Sequence, residues 1–217
     1  MLLFNVSSGL VADVTNVAKI TIVAYQPAFS IIGDPAKRNP HTRQSADHSM
    51  VFIVSRLLKK AMQIRKAKAW DSSDPAAAQK SNDEMWKNLI LVPEDYSAEA
   101  LKDKDTQLLM SKIEFKHGGE KYDSNYPDGI PTSVVITDKA GKEYDSGFVM
   151  YPSGHARNSA CNLEGILNNK FATLGALAVT DVPGTLKKLG DLGSKTPQEV
   201  AQLYNIPIDF KDCVGAY

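Results

Sequence analysis

Apolar residues recur along this chain with two periods, and the change between them divides it. Lys19 to Tyr25 (KITIVAY) is rich in β-branched residues and has no breaker, which predicts a strand. Gln26 to Pro40 contains Pro27, Pro35, Pro40 and Gly33 and reads as an irregular loop. The period then lengthens. Met50, Ile53, Val54, Leu57, Leu58 and Ala61 fall at i, i+3, i+4, i+7, i+8 and i+11, one apolar stripe on a helix over 46–65. Ser45 is placed to cap that helix and Asp47 to meet the positive end of its dipole, with Lys59, Lys60 and Arg65 at the other end. Lys66 to Ser81 is polar and Ala-rich and reads as a surface excursion. A short helix over 83–91 is stopped by Pro93.

A short helix over 105–111 runs into a strand at Lys112 to Phe115, and the glycines and prolines of His117 to Pro131 make a loop. Ser133 to Thr137 and Glu143 to Met150 read as strands. The DKAGK segment joins them, with Gly141 available for positive φ, so the pair is a hairpin. Beyond Pro152, Leu163, Ile166, Leu167, Phe171 and Leu174 have helical spacing. Thr196-Pro197-Gln198-Glu199 is a capping box with proline at the first helical position, opening a helix that ends near Tyr204. The pattern predicts an α+β domain with a hairpin-containing sheet over residues 17–150, followed by a helical tail over 155–217. Little sheet is left for that tail to cover. Its helices are therefore expected either to pack against helices outside this chain or to close the α+β core.

Charge and composition narrow the function. The 217 residues hold 25 Lys+Arg and 25 Asp+Glu, which argues against a nucleic-acid binder, with its usual basic excess. No apolar run is long enough to span a membrane. Met1 to Val14 has no basic n-region and is not a secretory signal, so a cytoplasmic or mitochondrial location is expected. Cys161 and Cys213 lie far apart and neither has a second cysteine at metal-ligand spacing; they read as two unpaired buried thiols of a reducing compartment, with a single structural disulfide as the alternative. There is no Gly-rich phosphate loop, HExxH or G-x-S-x-G, and nothing calls for a metal or an organic cofactor.

Two segments concentrate chemistry. Lys37 to Ser49 places Lys37, Arg38, Arg43, His41 and His48 just before the apolar helix. A helix N-terminus attracts anions and arginine grips carboxylates in a bidentate fork, as a polycarboxylate ligand would require. The same residues also fit a solvated loop in which Ser45 and Asp47 only cap the helix. Tyr151 to Asn158 brings His155 and Arg157 to the junction of hairpin and tail, a natural place for substrate contacts or for a hinge. His117, beside Gly118-Gly119, reads as a surface loop residue.

Taken in order, these segments resemble the 2-methylcitrate dehydratase family. Asn39-Pro40 through Arg43, then Ala46-Asp47-His48-Ser49 before a long apolar helix, resembles one family motif. Tyr151-Pro152-x-Gly154-His155-Ala156-Arg157, with Lys170-Phe171 further on, resembles a second. Leu109-x-Ser111-Lys112-Ile113-Glu114 and the hairpin with Gly141 also fit, so the likeness runs over about residues 17–204. The long insertion after the main helix, and the lack of a tyrosine in Ile32 to Lys37, depart from the pattern.

The family includes 2-methylcitrate dehydratases, which act in propionate catabolism, and cis-aconitate decarboxylases. Its members are longer, with a helical domain built from the N-terminal half and the C-terminal tail, and an inserted α+β lid. The resemblance implies that 17–150 is the lid and 155–217 the returning tail. It implies a lyase acting on a tricarboxylic acid, with Lys37, Arg43 and His48 holding substrate carboxylates from the lid side and His155 and Arg157 at the domain boundary. The family's principal histidine and aspartate residues belong to the N-terminal half, which has no counterpart in this sequence. A truncated, non-catalytic anion-binding or interaction module is the alternative. Either way, the exposed apolar faces predict a homo-oligomer or docking on a helical domain.

Overall fold

The computed structural model describes residues 13–67, 86–203 and 205–209. Its centre is a four-stranded sheet in the order β2-β1-β3-β4, made of β1 (Val17–Ala24), β2 (Ile113–His117), β3 (Thr132–Asp138) and β4 (Glu143–Asp145). β1 pairs parallel with β2 and antiparallel with β3, so Ile20 lies between Ile113 and Ile136. The parallel pair needs a long crossover. That crossover carries α1 (Arg43–Asp47), α2 (Met50–Ala67), α3 (Ala98–Leu101) and α4 (Lys104–Met110). A short α5 (Glu120–Asp123) follows β2.

One face of the sheet is covered. Ile20, Ile22, Ile113 and Ile136 are buried in one cluster with Phe52 and Leu58 of α2 and Leu109 of α4. Each such side chain removed from water is worth about 1.5–3 kcal/mol, so α2 and α4 supply much of what holds the sheet. On the opposite face Thr21 and Lys19 reach Glu114 at 2.9 and 3.0 Å, a polar rung that suits a solvent-facing side.

The expected hairpin is present, with Gly141 at φ +82. Asp138 Oδ1 accepts the Ala140 and Lys142 N–H groups at 2.9 Å and holds the turn. The second strand stops at Asp145 rather than Met150. Ser146 Oγ accepts the Val134 N–H at 2.8 Å, Gly147 turns the chain at φ +68, and only a bridge between Val149 and Thr132 follows.

The helix expected over 46–65 is two helices. His48 ends α1, and the fully buried Ser49 starts α2. Its Oγ donates to the Lys37 carbonyl at 2.6 Å and accepts the Phe52 N–H at 3.3 Å. Thr42, with Ser45 at N3, forms the capping box of α1. Ser45 is thus half of a cap, and Asp47 stands at the end of α1 instead of its start. The buried face of α2 is also rotated from the stripe read along the sequence. Val51, Phe52, Ser55, Leu58 and Met62 are buried, Met50 and Val54 pack against the core, and Ile53 and Leu57 are half-buried on another side.

After the sheet come α6 (Leu163–Gly175), α7 (Val182–Leu189) and α8 (Pro197–Gln202). Local caps make them. Asn162 and Asp181 accept the Gly165 and Gly184 N–H groups at 2.9 Å, and Thr196 and Glu199 form the expected capping box. These helices contain no buried residue, while Phe171 is 54% and Leu174 45% exposed. The fold is therefore an α+β sheet domain followed by helices, as the pattern predicts. The charged excursion after α2 falls largely outside the described residues. A helical turn at 86–89 is what the structure describes of the 83–91 helix.

Candidate functional site

Between the crossover and the tail lies a cavity of about 1160 Å³. The segment entering α1 and α1 itself contribute His41, Thr42, Arg43, Gln44 and Asp47. Ile53 and Leu57 come from the outward side of α2, Tyr96 and Leu101 from the turn after Pro93 and from α3, and Leu167, Lys170 and Leu174 from α6. The apolar residues of α2 that do not face the core thus form one wall. That accounts for the second apolar side of the helix.

The charged residues that line it are Arg43, Asp47 and Lys170. Arg43 and Asp47 are one helical turn apart on α1, yet neither side chain makes an ion pair or a hydrogen bond among the described residues. Tyr96 packs its ring against Phe52, with centroids 5.8 Å apart. Burial, then the negative charges of Asp47 and Asp95, push its hydroxyl up to about 12 against the opposing pull of Arg43. The hydroxyl is thus a neutral donor at any physiological pH, and it lies in the field of both α1 charges.

Tyr96 is held in place from below. Asp95, only 7% exposed, accepts from Arg56 Nη2 and Lys60 Nζ of α2, each at 2.8 Å, and from the Val92 N–H at 3.0 Å. Burial pushes its carboxyl up, but the hydrogen bonds from Lys60, Val92 and Arg56 outweigh this and hold it below the usual carboxylate range.

Of the five residues singled out in the sequence, Arg43 lines the cavity and the other four do not. Lys37 contributes its carbonyl to Ser49. His48 is exposed, its Nδ1 2.8 Å from the Gln44 carbonyl oxygen. His155 lies against the Tyr151 ring at 4.9 Å, and its Nδ1 accepts the Arg157 N–H at 3.1 Å. Arg157 points to Asp128, donating to its carbonyl at 3.1 Å. The junction loop does reach the cavity, but through Ser153 and Gly154. A helix-terminus anion site is not free either, because Thr42 Oγ1 takes the Ser45 N–H and Ser49 Oγ takes the Phe52 N–H.

The sequence reading quoted Lys170 only within a motif, not as a site residue, and missed Tyr96. Lys170 follows the helical spacing of α6 and could have been placed on its face, whereas Tyr96 sits in a Pro-Glu-Asp-Tyr turn that carries no periodic signal. Elsewhere, His117 Nε2 and Asp123 Oδ2 are 2.9 Å apart, and Asp123 Oδ1 also accepts the Gln26 N–H at 2.7 Å, so this pair ties two sheet corners together. Cys161 is half-buried, and Cys213 lies outside the described residues. Among the described residues no cluster of His, Cys, Asp and Glu could hold a metal ion, and no helix is long and apolar enough to cross a membrane. Compared with known proteins, the chain matches no protein-family model and no curated protein.

Proposed function

We propose that this chain is the C-terminal part of a lyase resembling 2-methylcitrate dehydratase, and that its cleft takes a carboxylate of a tricarboxylic acid on Arg43. The observation that supports this reading is an arginine whose side chain has no ion pair or hydrogen bond among the described residues, lining a large cleft between the sheet domain and the tail. A guanidinium left unpaired in a half-closed site gains most from an anionic ligand, which it holds by charge-assisted hydrogen bonds. On the same walls His41 adds a hydrogen-bonding ring and Lys170 a positive charge. In this reading Leu167, Phe171 and Leu174, each at least 40% exposed, belong to the face that a helical domain or a second copy covers. Decarboxylation of a cis-aconitate-like acid would use the same grip.

The chain by itself should be silent toward 2-methylcitrate and cis-aconitate. General acid–base catalysis needs a group within hydrogen-bond reach of the transferred proton, and the resemblance puts the principal acid and base outside this sequence. Binding should persist weakly, with a dissociation constant on the order of 1 mM, the equivalent of about 4 kcal/mol. Calorimetric or NMR titration with citrate checks this. Added salt and Arg43→Ala should both weaken the complex, while Lys139→Ala in the exposed hairpin turn should not. Turnover at ordinary enzyme rates, or an Arg43→Ala chain that binds citrate as well as the parent, would remove the reading.

A further inference from the structure

A carboxylate inside a site for polycarboxylates is a liability unless it meets a hydrogen-bond donor. Asp47 is such a carboxylate. It lines the cleft with Arg43, and both act on the Tyr96 hydroxyl through their charges. Helix geometry does not explain it. Asp47 is the last residue of α1, where the peptide dipoles disfavour an anion, and the first turn of α2 is capped by the Ser49 hydroxyl. It forms no ion pair with Arg43 among the described residues, although their i, i+4 spacing would allow a bridge. Both are left for something else.

We infer that Asp47 is a specificity-determining residue of the cleft, accepting a hydrogen bond from a ligand hydroxyl while Arg43, one turn earlier, holds the neighbouring carboxylate. The inference rests on the carboxylate reading of the cleft and narrows it. An acid bearing a hydroxyl beside a carboxylate satisfies both groups. An acid with the same carboxylates and no hydroxyl leaves Asp47 facing another negative charge across a short gap. Selection then comes from repulsion of the wrong ligand as much as from attraction of the right one. Tyr96, protonated throughout, can donate to either ligand and does not discriminate between them.

Titration of the 217-residue chain with citrate and with tricarballylate tests this, because tricarballylate keeps the three carboxylates and lacks the hydroxyl. The parent should bind citrate about tenfold more tightly, the factor that one charge-assisted hydrogen bond readily supplies. Asp47 is exposed and its side chain makes no hydrogen bond among the described residues, so Asp47→Ala should leave the unfolding midpoint unchanged and bring the two affinities close to parity. Arg43→Ala should weaken both ligands by similar factors and keep their order. Equal affinities in the parent, or a preference that survives in Asp47→Ala, would overturn the inference and leave the carboxylate reading standing. Failure of both ligands to bind, or indifference of both to Arg43→Ala, would overturn the reading and this inference with it.

Discussion

Asp95→Ala is expected to lower the free energy of unfolding by about 3–5 kcal/mol, the usual loss when one partner of a buried ionic cluster is removed. The carboxylate joins Arg56 and Lys60 of α2 to the turn that carries Tyr96, and Lys60 also donates to the Ile90 carbonyl at 2.9 Å. Without it two cations remain largely buried, beside an Arg56 Nε that already has no partner among the described residues. Asp95→Asn should cost less, because an amide oxygen still accepts one of these bonds. The effect also carries a pH signature. The folded-state pKa of Asp95 is depressed, so its contribution is fully present above the unfolded value of about 3.9 and is lost as pH falls through the lower folded value. Urea midpoints measured from neutral pH down to below this range should therefore fall more steeply for the parent than for Asp95→Ala. A variant with the parent's midpoint at neutral pH would show that the cluster contributes nothing net.

What could be read from the sequence was what forms locally. The Thr196 capping box, the Gly141 turn and the strand at β1 each depend on residues within a few positions of one another, and the structure places all three as expected. The misreadings involve distance or ambiguity. Helix α2 has two apolar sides, and periodicity alone cannot say which meets the sheet. The fully buried Ser55 argued against the correct face, while Ile53 and Leu57 argued for the side that became the cleft wall. The Asp95 cluster joins groups 39 and 35 positions apart, beyond any spacing rule. Of the site, Arg43 was visible because it stands in a segment dense in cations just before an apolar helix. His155 and Arg157 looked equally suitable, but a tight loop uses them on Tyr151 and Asp128. A polar side chain in a turn often has backbone or neighbours to satisfy first, and sequence does not reveal which.

The rotated face of α2 leads to the other large effect. Phe52→Ala should destabilise the chain by about 3–5 kcal/mol, through lost transfer energy and the cavity left behind. The ring is fully buried in the cluster that includes Ile20, Ile22 and Leu109, and it backs the ring of Tyr96. Phe52→Leu fills most of that space with an apolar side chain and should cost clearly less. Ile53→Ala and Leu57→Ala remove comparable apolar volume from positions that are only half-buried on the cleft side, so each should cost well under half as much as Phe52→Ala. Chemical denaturation of the four variants under one set of conditions gives the comparison. The order matters more than the magnitudes, since it reports which side of α2 meets the sheet. If Ile53→Ala or Leu57→Ala proved the more damaging, the stripe read from the sequence would be the core face, and the cleft wall would be part of a buried interface. If Phe52→Ala dominates, the cleft can be altered at Ile53 and Leu57 without unfolding the domain, and ligand binding can then be probed separately from stability.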